Sequence, residues 1–165
     1  MEFSSAATIT RRVADPEVFP EPATAVGRPI QVLLVEDSAE AAELVQVYLS
    51  DDQANPFRVE WACNLVEAMS RLAQPGLDVV LLDLGLPELS SYKSYRAIDA
   101  AAGPQVPVVI LTSDDRSVSR DLTLGFGASD YLLKNESSPA GLKQALRNAV
   151  THPRPARSAG LQKLI

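Results

Sequence analysis

Residues 79–87 have the sequence Val-Val-Leu-Leu-Asp-Leu-Gly-Leu-Pro. The four apolar residues at its start, two of them β-branched, predict a β-strand that is buried on both faces. The strand ends at Asp83, and Gly85 and Pro87 then turn the chain into a loop. Because ligands bind at the carboxyl ends of strands in open α/β sheets, we interpret Asp83 as the centre of a functional site. A turn aspartate that caps the next helix is the simpler alternative for this residue taken alone.

The rest of the chain repeats the same alternation of strand and helix. Buried strands are predicted at residues 30–35, 79–82 and 106–111, a half-buried or edge strand at 57–61, and a short strand at 131–133. Each strand is followed by apolar residues at helical spacing. Five strand–helix pairs predict an α/β fold with a five-stranded parallel sheet, doubly wound by helices on both faces through right-handed crossovers.

Capping residues mark several helix boundaries. Asn64, with Glu67 three residues later, is the capping-box pattern of a helix N-terminus. Ser138 followed by proline predicts the start of the last helix. The fourth helix is expected to be capped by the acids at 114–115 and to end in a tight turn at 125–128.

Length and composition indicate one globular domain between two short flexible segments. The chain has 165 residues, of which 46% are hydrophobic and 22% charged, and these values are ordinary for a soluble globular protein. Residues 1–30 contain four prolines and no apolar periodicity, which predicts a flexible leader. Prolines at the start of residues 151–165 predict a flexible tail. The folded domain is therefore expected at residues 31–150.

The net charge, and the lack of a membrane-spanning run or signal peptide, restrict the partners and the cellular location expected for this protein. The net charge of −6 divides into −1 for residues 1–30, −8 for residues 31–150 and +3 for residues 151–165. An acidic domain argues against nucleic acid as a direct partner. Neither a membrane-spanning apolar run nor a signal peptide is found, which predicts no membrane partner and a cytoplasmic location. Cys63 is then expected to be a small core residue, with a reactive thiol as the alternative.

Polar side chains stand at the ends of four of the five predicted strands: Glu36 and Asp37, Asp83, Thr112, and Lys134. A parallel sheet brings these ends to one edge, where three carboxylates would repel one another without a cation. Carboxylate oxygens suit Mg²⁺, and an ammonium and a hydroxyl nearby complete what phosphoryl transfer requires. Each residue alone has a simpler explanation, as a solvated lysine, a helix-capping threonine or a turn acid. Their joint occurrence favours the functional interpretation.

Four motifs carry a resemblance to a known family. They are Val-Glu-Asp-Ser at 35–38, Leu-Leu-Asp-Leu-Gly-Leu-Pro at 81–87, Ile-Leu-Thr-Ser at 110–113 and Gly-Ala-Ser-Asp-Tyr-Leu-Leu-Lys at 127–134. With these motifs, residues 31–150 resemble the receiver domain of two-component response regulators. The resemblance implies the flavodoxin-like (βα)5 fold, which agrees with the doubly wound sheet expected above.

The resemblance also implies a role for each residue of the predicted site. By this resemblance Asp83 is the phospho-acceptor, and Mg²⁺ is held by Glu36, Asp37, Asp83 and the backbone carbonyl of Gly85. The remaining roles are a hydrogen bond to the phosphoryl group from Thr112, an ion pair with it from Lys134, and a rotameric aromatic switch at Tyr131.

Three positions depart from the family pattern without removing a reacting group. Asn135 follows Lys134 where the family most often has proline in a cis peptide bond, Ser91 stands where glycine is usual, and Ser113 stands where alanine is common. A cis bond before a residue other than proline costs about 2.5–4 kcal/mol. We therefore predict a trans Lys134–Asn135 bond, with the lysine still able to reach Asp83 because its ammonium sits on a long flexible stem.

These features predict a stand-alone response regulator that signals and is not an enzyme. Its partners would be a sensor histidine kinase or a phosphotransfer protein and a downstream protein target. For the downstream target, the family resemblance implies a binding face built by the fourth and fifth helices and the strand between them. Homodimerisation on phosphorylation is left open. His152, in the proline-rich tail, is a poor candidate for the phosphoryl donor.

Three other classes of protein are weaker alternatives. A pseudo-receiver would keep the fold as a docking module without being phosphorylated, but it would be expected to lack Asp83, Lys134 or one of the paired acids, and all are present. A hydrolase with Asp83 as nucleophile would need a general acid or base close to it, and no histidine is available there. A flavin-binding protein is disfavoured, since acids follow the first strand in place of a phosphate-binding Ser/Thr/Gly loop.

Overall fold

A computed structural model describes residues 28–53, 56–113 and 115–152. The strands are β1 (Ile30–Val35), β2 (Phe57–Ala62), β3 (Val79–Leu82), β4 (Val108–Thr112) and β5 (Asp130–Leu133). The helices are α1 (Ala39–Ser50), α2 (Leu65–Leu72), α3 (Ser91–Ala102), α4 (Ser117–Phe126) and α5 (Pro139–Thr151). All strand pairs are parallel, in the order β2-β1-β3-β4-β5. The predicted α/β fold with a five-stranded, doubly wound sheet is therefore confirmed.

The central strand β3 is buried on both faces, as its sequence predicts. Its four residues are fully buried, and it pairs with β1 on one side and β4 on the other. Val80 and Leu82 belong to one core cluster, whereas Val79 and Leu81 belong to the other. Since side chains alternate between faces, one short apolar run supplies both cores.

Helices cover both faces of the sheet. The core beneath α1 and α5 contains Val45 and Leu146, whereas the core on the opposite face contains Ala68 of α2, Ile98 of α3 and Leu124 of α4. Within the described residues, no helix is long and apolar enough to cross a membrane.

The predicted helix starts at Asn64 and Ser138 are confirmed. The Asn64 side chain accepts a hydrogen bond from the Glu67 backbone N–H at 2.8 Å, and the Glu67 carboxylate accepts one from the Cys63 N–H at 3.0 Å. This reciprocal pair is a variant of the capping box in which the Glu67 carboxylate bonds to the N–H one residue before the N-cap. Ser138 Oγ accepts from Gly141 N at 3.0 Å, with proline as the first helical residue.

The fourth helix and the fourth strand differ from the sequence expectations. The N-cap position of α4 is Arg116, not the acids at 114–115, of which Asp114 lies outside the described residues. The helix continues through Gly125 and ends at Gly127, whose φ of +119° suits glycine. Strand β4 starts two residues later than expected, because Pro107 has no N–H for the ladder and contributes only its carbonyl to Val80 N.

Cys63 is not the core residue that the sequence led us to expect. It is partly exposed at the end of β2, where its thiol lies 3.4 Å from the Glu67 carboxylate. That carboxylate raises the pKa of the thiol, with a further contribution from burial, so the thiolate needed for reactivity is disfavoured.

The predicted leader and tail lie largely outside the described residues. The part of the leader that the structure describes includes Arg28, which forms a bidentate ion pair with Asp78, the residue before β3. The domain boundaries at residues 30 and 150 remain predictions.

Candidate functional site

The carboxyl edge of the sheet gathers the polar residues predicted from the strand ends. Glu36 and Asp37 follow β1, and Asp83 follows β3. The parallel register places Val35 beside Leu82, and the Asp83 N–H bonds to the Val35 carbonyl at 2.9 Å. The acids after β1 and β3 therefore leave the sheet side by side.

Lys134 joins the ends of β1, β3 and β5. Its Nζ donates to Glu36 Oε2 at 2.5 Å and to Asp83 Oδ2 at 2.7 Å. Its backbone N–H bonds to the Thr112 carbonyl at 2.9 Å, so the end of β5 is also tied to β4. Burial by itself would lower the pKa of the ammonium, but hydrogen bonds to Asp83 and Glu36 outweigh it and raise that pKa. The lysine is thus held in its charged form between two carboxylates.

Glu36 is a nearly fully buried carboxylate, with 1% of its surface exposed. Burial raises its pKa above the ordinary range, and the nearby Asp83 adds to this effect. The hydrogen bond from Lys134 and one from Ser38 N–H at 3.2 Å act in the opposite direction without cancelling the rise. The charge on Glu36 therefore depends on cations in its surroundings.

The Asp83 carboxylate is held on both oxygens. Oδ2 accepts from Lys134, and Oδ1 accepts from the Gly85 backbone N–H at 2.9 Å. A Cβ atom at position 85 would lie 3.3 Å from Oδ2, which is shorter than most contacts that Cβ atoms make in folded proteins. Glycine at this position therefore leaves the carboxylate free to keep its orientation.

Three acids form a cluster able to bind a cation. One carboxylate oxygen from each of Glu36, Asp37 and Asp83 lies within 4.8 Å of the others, with Asp37 the exposed member. Three carboxylates face one ammonium, so the cluster keeps an excess of negative charge. Hard oxygen donors, partial exposure and excess negative charge are features that suit Mg²⁺, which keeps water and phosphate ligands beside a few carboxylates.

Comparison with known proteins identifies the family. The model of the response regulator receiver domain matches residues 32–147. The chain belongs to the receiver domain family of two-component response regulators. Receiver domains are signalling modules that bind Mg²⁺ at an acidic pocket and interact with histidine kinases or phosphotransfer proteins.

Individual relatives agree with this family. The uncharacterized transcriptional regulatory protein YcbL of Bacillus subtilis is 32% identical over 123 residues, covering 73% of this chain and 52% of that protein. A protein-glutamate methylesterase/protein-glutamine glutaminase of Nocardioides is 38% identical over 107 residues, 64% of this chain and 29% of that protein. The signal receiver domain of a putative LuxO repressor protein from Vibrio parahaemolyticus is 25% identical, with a TM-score of 0.66, covering 76% of this chain and 92% of that structure. The chain spans about half the length of the first curated relatives it matches.

Two further predicted residues of the receiver lie on β4 and β5. Thr112 is the last residue of β4 and is 1% exposed, and Tyr131 on β5 is 5% exposed. The register pairs Tyr131 with Ile110, two residues before Thr112, and both tyrosine and isoleucine belong to the same core cluster. Thr112 thus lies at the site edge of the sheet, and Tyr131 lies deeper on the same pair of strands.

The loop after Lys134 has the backbone that its sequence predicts. Every peptide bond in the described residues is trans, including Lys134–Asn135. The chain turns at once, since the N–H groups of Glu136 and Ser137 both bond to the Leu133 carbonyl. The contact between Lys134 and Asp83 confirms that the departure at Asn135 leaves the lysine in reach.

Sequence reasoning missed two residues beside the site. The Trp61 indole N–H donates to the Glu36 carbonyl at 2.7 Å, and the Glu88 carboxylate accepts from Leu65 N, the first residue of α2, at 3.3 Å. Alternating charged and apolar residues indicate that Trp61 lies on an edge strand, but no sequence pattern links it to Glu36. For Glu88, the only signal is its position in the loop that follows Asp83.

Proposed function

We propose that this receiver domain accepts a phosphoryl group on Asp83 from the phosphohistidine of a histidine kinase or a phosphotransfer protein. The observation that carries this proposal is the position of the Asp83 carboxylate. It lies at the end of the central strand, it bonds to Lys134 and to the Gly85 N–H, and it is next to two further acids. A nucleophile with a cation and a cluster of metal-binding oxygens beside it is the arrangement that phosphoryl transfer requires.

In the proposed reaction, an Asp83 carboxylate oxygen attacks phosphorus. A new O–P bond forms while the N–P bond to the donor histidine breaks, and the imidazole leaves as the neutral base after it takes up a proton. The Lys134 ammonium, already 2.7 Å from Oδ2, would pair with a phosphoryl oxygen and offset its charge. Thr112, at the end of the neighbouring strand, would donate a hydroxyl hydrogen bond to another oxygen.

Mg²⁺ would be held by Glu36, Asp37, Asp83 and the Gly85 backbone carbonyl. When bound, it would neutralise the negative charge that accumulates between the carboxylates and the incoming phosphoryl oxygens. The protein's own contribution is to hold the acids in place, which Lys134 and the backbone N–H groups of Ser38 and Gly85 do for Glu36 and Asp83.

The proposed output is a change in protein binding at the face formed by α4, β5 and α5. Thr112 and Tyr131 would couple the phosphoryl group to this face, because they lie on the paired strands β4 and β5 that lead from the site to it. The proposal also includes a downstream protein target that binds this face and a homodimer that forms on phosphorylation. That the receiver acts without an attached output domain remains a prediction, since the match covers only about half the length of each of the first curated relatives.

Intact mass after incubation with Mg²⁺ and acetyl phosphate tests the proposal. Wild type should gain one base-labile phosphoryl group, and omission of Mg²⁺ should abolish the gain. Asp83→Asn, which keeps the shape but removes the anionic nucleophile, should gain none. Asp121→Asn makes the same change at an exposed position on α4 and should be labelled like wild type. Equal labelling of wild type and Asp83→Asn would reject Asp83 as the acceptor, and no labelling of wild type would favour the unphosphorylated docking module.

A further inference from the structure

We propose that Trp61 is a positioning residue for the cation site and that it acts by orienting the peptide group between Glu36 and Asp37. This inference rests on the proposed function, because it assigns Trp61 to the site where Mg²⁺ would bind. Its hydrogen bond to the site is made to the backbone, since the indole N–H donates to the Glu36 carbonyl at 2.7 Å.

The indole takes the place of a donor that the neighbouring strand does not supply. The N–H and C=O of one residue in a parallel ladder point toward the same neighbouring strand. The Glu36 N–H bonds to the Ala62 carbonyl of β2 at 3.1 Å, so the Glu36 carbonyl also points toward β2. In this register the ladder donor for the Glu36 carbonyl would be the Asn64 N–H, two residues beyond Ala62. Strand β2 ends at Ala62 and Asn64 is the N-cap of α2, so among the described residues no backbone hydrogen bond joins the Asn64 N–H to Glu36. The Trp61 side chain reaches forward along the strand and supplies the missing donor.

Asp37 is the acid that depends most on this hydrogen bond. The side chain of Glu36 is held by Lys134 and Ser38, and that of Asp83 by Lys134 and Gly85. Asp37 is exposed, and in the described part of the chain no side chain donates a hydrogen bond to its carboxylate.

The backbone therefore sets the direction of the Asp37 side chain. The carbonyl of Glu36 and the N–H of Asp37 belong to one planar peptide group. Fixing the oxygen of that plane fixes the direction in which the Asp37 Cα leaves β1. Trp61 thus holds the backbone of the least constrained acid of the cluster.

A purely structural role for Trp61 makes a different prediction from a positioning role. If the indole only secured the edge strand β2, its loss would lower stability and leave the affinity of correctly folded protein for Mg²⁺ unchanged. If it positions Asp37, its loss lowers that affinity even where the fold is intact. Residues that orient metal ligands typically change metal affinity by about tenfold or more when they are altered.

The single tryptophan of the chain allows an isosteric test. Biosynthetic replacement of tryptophan by 3-benzothienylalanine exchanges the indole N–H for sulfur at position 61 alone and keeps the shape of the ring. Mg²⁺ affinity is measured by calorimetry on protein treated with EDTA, with far-UV circular dichroism and urea unfolding as checks on the fold. We expect the dissociation constant to rise about tenfold. If the protein with 3-benzothienylalanine is poorly produced, Trp61→Phe is the second variant. It also lacks the donor and should give a similar rise in the dissociation constant.

A double-mutant cycle with Asp37→Asn identifies the route of the effect. The replacement at Trp61 should weaken Mg²⁺ binding in the wild-type background and have no further effect once Asp37 has lost its charge. An unchanged dissociation constant in the wild-type background would overturn the inference, as would an equal loss in the Asp37→Asn background. A wild-type protein that binds no Mg²⁺ and accepts no phosphoryl group would reject the proposed function together with the inference. Normal binding and labelling in both the wild type and the Trp61 replacement would reject the inference alone.

Discussion

Lys134→Met removes the ammonium that joins Glu36 to Asp83 and keeps most of the aliphatic stem. Each charge-assisted hydrogen bond contributes about 1.5–3 kcal/mol, and removal of one partner from a buried ion pair costs about 3–5 kcal/mol. The side chain of Lys134 is 22% exposed, whereas those of Glu36 and Asp83 are 2% and 9% exposed. Water can replace part of the lost interaction on the exposed side, so we expect the low end of that range. The free energy of unfolding should fall by about 3 kcal/mol, and the melting temperature by roughly 10 °C.

The stability lost in Lys134→Met should depend on pH because Glu36 is buried. Burial raises the pKa of Glu36 above its ordinary value of 4.5, and Lys134 opposes that rise. Without Lys134 this pKa rises further. A carboxyl group with a raised pKa in the folded state binds more protons in the native than in the unfolded protein, so stability falls as pH increases through the window above 4.5. The deficit of Lys134→Met should therefore be largest near neutral pH and shrink as the pH is lowered toward about 5.

Urea unfolding at neutral pH and at about pH 5, with EDTA and again with Mg²⁺, measures these effects. Lys93→Met is the matched control, because it makes the same substitution at an exposed position of α3, where changes are usually within about 0.5 kcal/mol. Mg²⁺ should restore more stability to Lys134→Met than to wild type, since the cluster without the ammonium is more negative. If Lys134→Met were as stable as Lys93→Met, or if its deficit were the same at both pH values, the assigned role of Lys134 would be wrong.

Three further predictions concern the cation site, the acceptor loop and the opposite end of the sheet. Millimolar Mg²⁺ should raise the melting temperature by mass action, and Asp37→Asn should weaken that shift; a melting temperature indifferent to Mg²⁺ would count against the site. Gly85→Ala places a Cβ 3.3 Å from the acceptor carboxylate, so labelling by acetyl phosphate should slow by roughly tenfold, and an unchanged rate would contradict the crowding. Burial opposes ionisation of Asp78, but bonds from Arg28 and Gln31 N–H outweigh it and lower the pKa of this carboxyl below 3.8. Asp78→Ala should therefore lower the free energy of unfolding by about 1 kcal/mol near neutral pH, chiefly through loss of the Gln31 hydrogen bond. In acid unfolding curves the difference between variant and wild type should close as the pH falls below 3.8. A constant difference would argue against an ionised Asp78.

The candidate site was predictable from the sequence to the extent that it follows from strand order. Asp83 ends a fully apolar run, and Glu36 and Lys134 stand at the ends of other apolar runs. Parallel strands bring their carboxyl ends to one edge, so convergence of these side chains follows once the strands are recognised. The distances of 2.5 Å and 2.7 Å from Lys134 to the two carboxylates agree with that expectation.

Local errors in the sequence interpretation have local physical causes. The sequence predicts a turn at Gly125, but α4 continues through this position to Phe126, and the positive φ falls at its C-cap residue Gly127. Pro107 lies in an apolar run that predicts a strand from residue 106, yet it lacks the N–H that a strand ladder needs. The sequence predicts a core position for Cys63, but hydrogen bonds from its N–H and thiol to Glu67 in the first turn of α2 hold it at the surface.

The sequence by itself determined the features that depend on neighbouring residues in the chain: which runs form buried strands, where capped helices start at Asn64 and Ser138, and which polar residues end the strands. Tertiary structure alone decided the contacts that join distant residues. Lys134 meets Glu36 across 98 positions of the chain, and Trp61 meets the Glu36 carbonyl across 25. The physical reason is that apolar periodicity and capping are short-range effects, repeated within one or two turns of helix or one strand. A hydrogen bond from an indole to a particular carbonyl depends instead on where β2 stops beside β1, and that is known only when the sheet is assembled.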